Sequence, residues 1–348
     1  MVGTIMDLIR LIRLLGPRRL LALRRNYRLT LPALRGYVIT TVFWSLLEEG
    51  FMDRLKDGGR LSPGAYAGER GLDRGVLQSL CVYLEGAGLL ALEGDECLLT
   101  PPGLAMLAEP RGIYELVRGY RPLFDGLGDL LAGKIKYGVD IAKEGEWVAR
   151  GTGRLGSQLP FPIIAEVVRR RGYGRILDLK CNDGALLVML AERGARRGFG
   201  IDDDPAAIKC ALSAVSAAGM GGRIDAWEGD LFDVGGLSER CGDIDLIIAF
   251  DVFHEHLCGG PGKIVKLIGK LGVSFPGAHL LIAEFCRLPE EKVRNASKPF
   301  LEHELIHGLT GQKVLSEAEW EELIAATPYS IIEKRVFGLI GHGYFLLK

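Results

Sequence analysis

The feature that most constrains the fold is the alternation of short apolar runs with helical patterns after residue 174. Amphipathic helical patterns separate the runs, for example through Leu186, Leu187 and Leu190. Strands that alternate with helices predict a doubly wound parallel sheet of the α/β class, in which ligands bind beyond the carboxyl ends of the strands. Four runs have the length and the aliphatic content of buried strands: 175–179, 198–202, 243–250 and 278–284.

Acidic and turn-forming residues follow these strands. Gly184 lies in the turn after the first strand, and Asp202 and Asp203 end the second strand, 18 residues beyond that glycine. A carboxylate at this place in a nucleotide-binding sheet accepts hydrogen bonds from ribose hydroxyls. The segment 228–232, Glu-Gly-Asp-Leu-Phe, supplies a further carboxylate for an exocyclic amine and apolar groups for a purine face. The sequence therefore predicts a site for a nucleoside-bearing cofactor.

Composition excludes several classes of protein. The 348 residues are 48% apolar and 25% charged, which is typical of globular domains and suggests two of them. A formal net charge of −1 argues against wholesale nucleic-acid binding. Seven scattered cysteines suit a reducing cytoplasm, where we expect the protein to act. The apolar runs are all shorter than 18 residues, so we expect no membrane span.

Residues 1–36 form a basic segment with eight arginines and one acid, Asp7. Leucine and isoleucine interleave with the arginines at helical spacing, which predicts an amphipathic helical segment. Three interpretations remain: packing on a partner chain or on its own domain, weak contact with a membrane surface, and a transit peptide. We expect the first, because nothing resembles a cleavage site.

Residues 37–158 predict a helical domain with a winged-helix pattern. One helix is expected over 37–58, a second begins after Ser62-Pro63, and a third covers about 74–85. A hairpin follows around Gly94. The third helix offers too few basic or amide side chains to read DNA, so this domain is expected to cover substrate and to dimerise. Glycines at 151 and 153, before Pro160, place the expected boundary between residues 158 and 159, with the cofactor domain over 159–348.

The order and spacing of these pieces resemble the class I S-adenosylmethionine-dependent methyltransferases, over about residues 37–348. More narrowly, the chain is similar to small-molecule O-methyltransferases that carry an N-terminal winged-helix dimerisation domain. The matching stretches are 177–184, 200–202, Gly229-Asp230, Phe253-His254-Glu255 and Pro276-Gly277.

This resemblance implies a Rossmann-like domain, a homodimer, and methyl transfer from S-adenosylmethionine to a small organic acceptor. It also implies a set of residues around the cofactor: Asp178, Lys180, Cys181, Asn182, Gly184, Asp202, Asp203, Gly229, Asp230, Leu231, Phe250 and Asp251.

The first loop departs from the family pattern. The family has three alternating glycines there, and Lys180 and Asn182 replace two of them, leaving Gly184. Asparagine tolerates left-handed backbone conformations, whereas Lys180 adds bulk and charge near the methionine end of the cofactor. Lys180 either pairs with the cofactor's carboxylate or impairs binding. We expect binding to be retained; the alternative is a non-catalytic regulatory protein.

All six histidines lie after residue 250. His254 stands where O-methyltransferases of this type carry their general base, with Glu255 beside it, and histidine suits that role because its pKa lies near neutral pH. His279 begins a strand and is expected to be structural. His342, between two glycines, is expected in a turn.

His303 and His307 form an H-E-x-x-H pattern, for which three interpretations exist. Zinc peptidases use this pattern, but they need a third ligand and their own fold. The histidines can also be ordinary surface residues of a helix. Finally, the stretch 305–312 is similar to methyltransferases that methylate the β-carbon of α-keto acids with a bound divalent or ferric ion. That resemblance implies His254 and His307 as metal ligands, with Glu255 or His303 nearby.

Overall fold

A computed structural model of the chain describes residues 2–108, 111–295 and 300–348. The chain divides into two compact units, residues 1–110 and 111–348. The predicted functional boundary between residues 158 and 159 remains a prediction. Within the described ranges, none of the helices combines the length and the apolar character needed to cross a lipid bilayer.

The first unit is mostly helical and contains one small hairpin between its last two helices. Ser62 caps α4 as predicted, because its hydroxyl oxygen accepts a hydrogen bond from the Ala65 amide at 3.3 Å. A helix pair followed by an antiparallel hairpin is the order of elements that the winged-helix pattern requires. The elements are α1 (Val2–Leu15), α2 (Pro17–Glu48), α3 (Phe51–Gly58), α4 (Pro63–Arg70), α5 (Arg74–Gly86), β1 (Leu90–Glu93), β2 (Glu96–Leu99) and α6 (Pro101–Leu107).

The prediction of a single helix over residues 37–58 is wrong. Helix α2 starts at Pro17 and runs to Glu48, and the chain turns at Gly50 before α3 begins. Gly50 has a φ of 76°, a left-handed conformation that glycine adopts without strain and that interrupts a right-handed helix. The basic segment 1–36 is therefore α1 plus the first part of α2, where Leu14 and Leu29 are among the exposed apolar side chains.

The second unit contains twelve α-helices and seven strands within its described residues, and a short 3-10 turn at Phe253–His256. Its helices are α7 (Arg111–Gly119), α8 (Arg121–Asp125), α9 (Leu127–Leu131), α10 (Gly145–Gln158), α11 (Pro160–Arg171), α12 (Ala185–Glu192), α13 (Pro205–Ala217), α14 (Val234–Cys241), α15 (Gly262–Ser274), α16 (Glu290–Arg294), α17 (Phe300–Thr310) and α18 (Glu317–Ala325). Its strands are β3 (Arg175–Leu179), β4 (Arg197–Asp202), β5 (Ile224–Glu228), β6 (Leu246–Phe250), β7 (His279–Phe285), β8 (Ile331–Phe337) and β9 (His342–Leu347).

These seven strands form one sheet in the order β5-β4-β3-β6-β7-β9-β8. The first five are parallel, which confirms the predicted doubly wound α/β fold, and β9 is antiparallel to both β7 and β8. The strand order reverses between β3 and β6, where Leu179 lies beside Ala249. A crevice for ligands is expected at such a reversal.

The register of the last strand corrects one expectation. His342 was expected in a turn, but it begins β9, pairs with Phe285 at the end of β7, and is buried. Because β9 is antiparallel to β7, its first residue lies at the carboxyl edge of the parallel strands. His342 therefore belongs to the edge that carries the candidate site.

The core lies on both faces of the sheet because successive side chains of a strand point to opposite faces. On one face, Leu177 and Ile247 pack with Leu267 and Leu271 of α15. On the other face, strand residues such as Ile176 pack with α11 and α12. Full burial of one such aliphatic side chain stabilises the fold by about 1.5–3 kcal/mol. This packing holds the strand ends rigidly at the site.

Glycines bring α10 into close contact with α7 and with the loop after β3. A Cβ atom added at Gly151 would lie 2.8 Å from the carbonyl oxygen of Gly112. One added at Gly153 would lie 2.0 Å from the Asp183 carboxylate. The segment around residues 151–153 thus lies in the interior of α10.

Candidate active site

His254 is held at the carboxyl end of β6 by a carboxylate from the neighbouring strand. Glu284, at the end of β7, accepts backbone hydrogen bonds from Val252 at 2.9 Å and Phe253 at 2.6 Å through Oε1. Its Oε2 lies 2.8 Å from Nδ1 of His254. Since a carboxylate only accepts, the neutral ring carries its proton on Nδ1 and has its lone pair on Nε2. Burial opposes the charged imidazolium, but the Glu284 carboxylate outweighs it and the pKa of His254 is raised.

Helix α17 brings two more imidazoles to His254, and together His254, His303 and His307 form the histidine cluster. The ring centroids of His254 and His307 are 4.9 Å apart, and those of His303 and His307 are 3.8 Å apart. Nδ1 of His307 donates to the His303 carbonyl oxygen at 2.7 Å, which leaves its Nε2 free to accept. Burial lowers the pKa of His307 to about 4, so this ring is neutral at pH 7.

The structure tests how this cluster could hold a metal ion. Nε2 of His303 is buried and has no hydrogen-bond partner among the described residues. However, across the described part of the chain, no three His, Cys, Asp or Glu side chains converge to form a metal site. The cluster thus offers the Nε2 atoms of His254 and His307 as two protein ligands, and any other ligand would have to come from substrate or water.

A second histidine–carboxylate pair lies beside the first. Nε2 of His342 is 3.0 Å from Oδ1 of Asp251, the residue that follows β6. Asp251 has a φ of 52°, which is uncommon for a residue with a side chain and turns the chain sharply into the 253–256 turn. His279 lies at the opposite end of β7 and hydrogen-bonds the Tyr173 hydroxyl, as expected of a structural histidine.

The loop after β3 keeps the backbone of a glycine-rich loop without most of the glycines. Lys180, Asn182 and Gly184 have φ values of 56°, 54° and 74°. A left-handed conformation costs a residue with a Cβ roughly 1–2 kcal/mol, so the surroundings must stabilise it here. Asp202 does so: its carboxylate accepts hydrogen bonds from the amides of Asn182 and Asp204, both at 3.0 Å.

Beneath this loop lies an unpaired buried carboxyl group. Oδ1 of Asp178 has no hydrogen-bond partner among the described residues, and burial raises the pKa of Asp178 well above its ordinary value. Cys181 is buried over Gly200, where an added Cβ would lie 2.6 Å from the cysteine sulfur. Oδ1 of Asp183 accepts a hydrogen bond from the amide of Ala185, the first residue of α12, and burial raises the pKa of Asp183 to about 6. An unpaired acceptor next to a strained loop fits a ligand with donor groups, such as S-adenosylmethionine.

The other predicted cofactor residues reach the same edge of the sheet. The Gly229 amide donates to the Asp202 carbonyl oxygen at 2.9 Å, and Oδ1 of Asp230 accepts from the Phe232 amide at 2.9 Å. Leu231 is buried. Phe250, at the end of β6, packs edge-on against Phe161 with ring centroids 5.0 Å apart.

Two lysines surround Glu255, and we call Lys143 and Lys180 the lysine pair. Nζ of Lys143 lies 3.0 Å from Oε1 of Glu255, and Nζ of Lys180 lies 2.9 Å from Oε2. Lys180 also contacts Oδ1 of Asp203 at 3.0 Å. Burial opposes ionisation of Glu255, but the two ammonium groups outweigh it and its pKa is strongly lowered. Glu255 is therefore a carboxylate whose two oxygens both face lysines.

Sequence reasoning missed three functional candidates: Glu284, Lys143 and the pairing of His342 with Asp251. Glu284 had a signal, since it is a charged residue at the end of an otherwise apolar strand run. No sequence pattern indicated Lys143, because this residue lies between α9 and α10 and contacts Glu255 only through the tertiary packing.

Comparisons with known proteins agree with this architecture. No protein-family model matches the chain. The chain is 28% identical over 315 residues to the 2-ketoarginine methyltransferase of Streptomyces arginensis, an alignment that covers 88% of this chain and 89% of that relative. It is 30% identical over 212 residues to the indolepyruvate C-methyltransferase of Streptomyces griseus, over 60% of each protein. The structure of human N-acetylserotonin methyltransferase with S-adenosylmethionine covers 93% of this chain and 97% of its own, with a TM-score of 0.67 and 16% identity.

The fold and these relatives define the class of protein: the chain is an S-adenosylmethionine-dependent methyltransferase. Its sheet and N-terminal helical region have the architecture of the O-methyltransferase fold, as the sequence resemblance predicted. The alternative of a non-catalytic regulatory protein is therefore not retained.

Proposed function

We propose that this enzyme methylates the β-carbon of a 2-oxo acid, with His254 as the general base. Two observations support the acceptor class, namely the similarities to a 2-ketoarginine methyltransferase and to an indolepyruvate C-methyltransferase. The observation that carries the base is the contact between His254 and Glu284, which fixes the ring and, in its neutral form, leaves Nε2 as the nitrogen that can take a proton. His254 and Glu284 lie at the edge of the sheet that also carries the loop after β3.

The proposed reaction needs one proton transfer and one carbon–methyl bond. The β-hydrogens of a 2-oxo acid are acidic because the enolate that forms is delocalised onto the 2-oxo oxygen. Nε2 of His254 takes one of these protons, and the Glu284 carboxylate stabilises the resulting imidazolium. S-adenosylmethionine supplies the methyl group on a sulfonium, which the β-carbon attacks as the sulfur leaves. The residues of the site contribute by holding the two reacting groups in line.

A second candidate mechanism uses the same acceptor with a metal ion. It is supported by the 4.9 Å separation of the His254 and His307 rings, whose Nδ1 atoms are both occupied. His254 and His307 would hold the ion through Nε2, and His303 lies beside His307. A divalent or ferric ion there would acidify the β-carbon by polarising the 2-oxo group.

Product analysis tests the proposed acceptor. The purified enzyme is incubated with methyl-deuterated S-adenosylmethionine and, in turn, 2-ketoarginine, indolepyruvate and a phenol. We expect the label on the β-carbon of a 2-oxo acid, located by mass spectrometry and NMR. Label found only on oxygen, or only in the phenol, would contradict C-methylation.

Single histidine variants separate base catalysis from metal assistance. If His254 is only a base, His254→Ala should lower the rate by about 10²–10⁴, and His307→Ala should have little effect. If both residues hold a metal, each substitution should abolish most of the activity, because the ligands act as a unit. A chelator should then inactivate the wild type, and added metal should restore it. Full activity in both variants would contradict both mechanisms.

A further inference from the structure

The charged groups beside His254 differ in how far they are exposed. The side chains of Glu255 and Lys180 are each 17% exposed, and that of Lys143 is 27% exposed. The side chain of Asp203 is 57% exposed and so is well solvated. Lys180 also faces the buried carboxylate of Asp202, whereas among the described residues the acidic side chain that contacts Lys143 is Glu255. Buried charge is stable only when it is paired, and Lys143 shares Glu255 with Lys180, so a further anion would be stabilised most at Lys143.

The two lysines are not equivalent. Lys180 lies between two carboxylates, those of Glu255 and Asp203. In the described part of the chain, the side chain of Lys143 hydrogen-bonds Glu255. An ammonium has three N–H donors, and one contact with Glu255 leaves donors of Lys143 for a ligand. Lys143 is therefore the member of the lysine pair that is better placed to receive an anion.

The surroundings of Lys143 connect it with the histidine cluster. Tyr120, beside Lys143, belongs to an apolar cluster that also contains Ile306 and Leu309. Those two residues flank His307 on α17. Glu255, which holds Lys143, directly follows His254 in the chain. Lys143 is thus linked to the turn of His254 through Glu255 and lies near the part of α17 that carries His307.

Resting on the proposed function, we infer that Lys143 is the anchor for the carboxylate of the acceptor. In a 2-oxo acid the carboxylate is separated from the β-carbon by the 2-oxo carbon alone, so a cation that holds it must lie beside the base. Lys180 and Glu255 act as positioning residues, because they fix the ammonium of Lys143 in place. The anchor selects 2-oxo acids over neutral ketones and phenols.

Binding experiments with paired ligands test this anchor. The full-length enzyme, saturated with S-adenosylhomocysteine, is titrated by calorimetry with indolepyruvate and 2-ketoarginine and with their methyl esters. Wild-type enzyme should bind at least one acid more tightly than its ester. Lys143→Met should weaken binding of that acid by about 10- to 100-fold, the usual effect of losing a hydrogen bond to a charged group, and should leave the ester unaffected. Lys143→Arg should restore part of the affinity.

A matched control is Lys134→Met in the same segment, because Lys134 is an exposed lysine paired with Asp129. It should bind the acids as the wild type does. Equal binding of acid and ester by the wild type, unchanged acid binding by Lys143→Met, or no binding of either acid would each overturn the anchor. If the acids bind through Lys143 but neither is methylated, the proposed function fails and the anchor stands.

Discussion

At the scale of single residues, Asp202 holds the loop after β3 in shape, and we also expect it to bind the cofactor. Its carboxylate holds the amides of Asn182 and Asp204, and the family resemblance also assigns it the ribose hydroxyls. The first task explains how Lys180 and Asn182 keep a glycine-like backbone. We therefore expect the shape of this loop and the affinity for the cofactor to be coupled through the Asp202 side chain.

Asp202→Ala should weaken binding of S-adenosylmethionine by about 1–3 kcal/mol, because it leaves buried hydrogen-bonding groups without partners. Titration calorimetry measures this directly. Asp203→Ala is the comparison: Asp203 is largely exposed and contacts Lys180, so a smaller loss is expected. Unchanged affinity in Asp202→Ala would contradict its role in holding the cofactor.

At the scale of elements, the contact between α7 and α10 depends on the absence of side chains. Gly112 and Gly151 approach so closely that a Cβ on either would lie 2.8 Å from the other's carbonyl oxygen. Backbone atoms of two packed helices cannot move aside as the end of a flexible side chain can. Since α10 also covers Asp183 in the cofactor loop, a shift of this helix should reach the site.

Gly151→Ala should destabilise the protein by about 1–3 kcal/mol, the usual cost of overpacking, and should reduce cofactor affinity. Urea unfolding gives the free energy. Gly269→Ala in α15 is the control, because nothing lies within 4 Å of an added Cβ there. Alanine in an open helical position should stabilise slightly. Equal stability of the two variants would contradict the close-packing argument.

A group of contacts between α11, β8 and β9 predicts that the stability of the fold depends on pH. Glu333 of β8 hydrogen-bonds Arg170 and Arg171 at the end of α11 and the Tyr344 hydroxyl of β9. These contacts lower the pKa of Glu333 to about 2. A carboxyl group with a lowered pKa in the folded state stabilises the fold above its unfolded pKa of about 4.3, and this contribution disappears as the pH falls toward 2.

Glu333→Gln should therefore lower the free energy of unfolding by about 1 kcal/mol at pH 7, after allowance for solvent screening. The difference from wild type should shrink steadily between pH 5 and pH 3 in chemical unfolding experiments. Glu290→Gln provides the control, because Glu290 and its partner Arg294 are both exposed. A difference that stays constant over this pH range would mean that Glu333 acts through packing rather than charge.

At the scale of the whole molecule, the charge is unevenly divided along the chain. Residues 1–36 carry seven net positive charges and the whole chain carries −1, so the remainder carries −8. The same 36 residues expose leucines on α1 and on the first part of α2. An apolar and basic surface of this kind needs a partner, and the acidic remainder of a second copy complements it.

We predict a homodimer, as the resemblance to dimeric methyltransferases implies. Light scattering at micromolar concentration should give twice the mass of the chain. The dimer should weaken at low protein concentration when Arg18, Arg19, Arg24 and Arg25 are replaced by glutamate. A monomeric wild type under these conditions would contradict the prediction and leave a membrane surface as the alternative occupant.

The sequence by itself determined four of the five parallel strands and the turn after β3, because these follow from local periodicity and from residues a few positions apart; it missed β5 at the edge of the sheet, where buried and partly exposed residues alternate. It also placed His254, Asp202 and Asp203 at strand ends. It did not determine the antiparallel pairing of β8 and β9, since two short runs near the end of the chain can pair in several ways.

Only the tertiary structure joined residues that are far apart in the chain. Lys143 and Glu255 are separated by 112 positions, and Asp251 and His342 by 91. No local pattern reports such contacts, because they depend on how whole elements pack around the core. The identity of the residues set what chemistry was available, and the packing of α10, α17 and β9 against the sheet edge decided which of them meet.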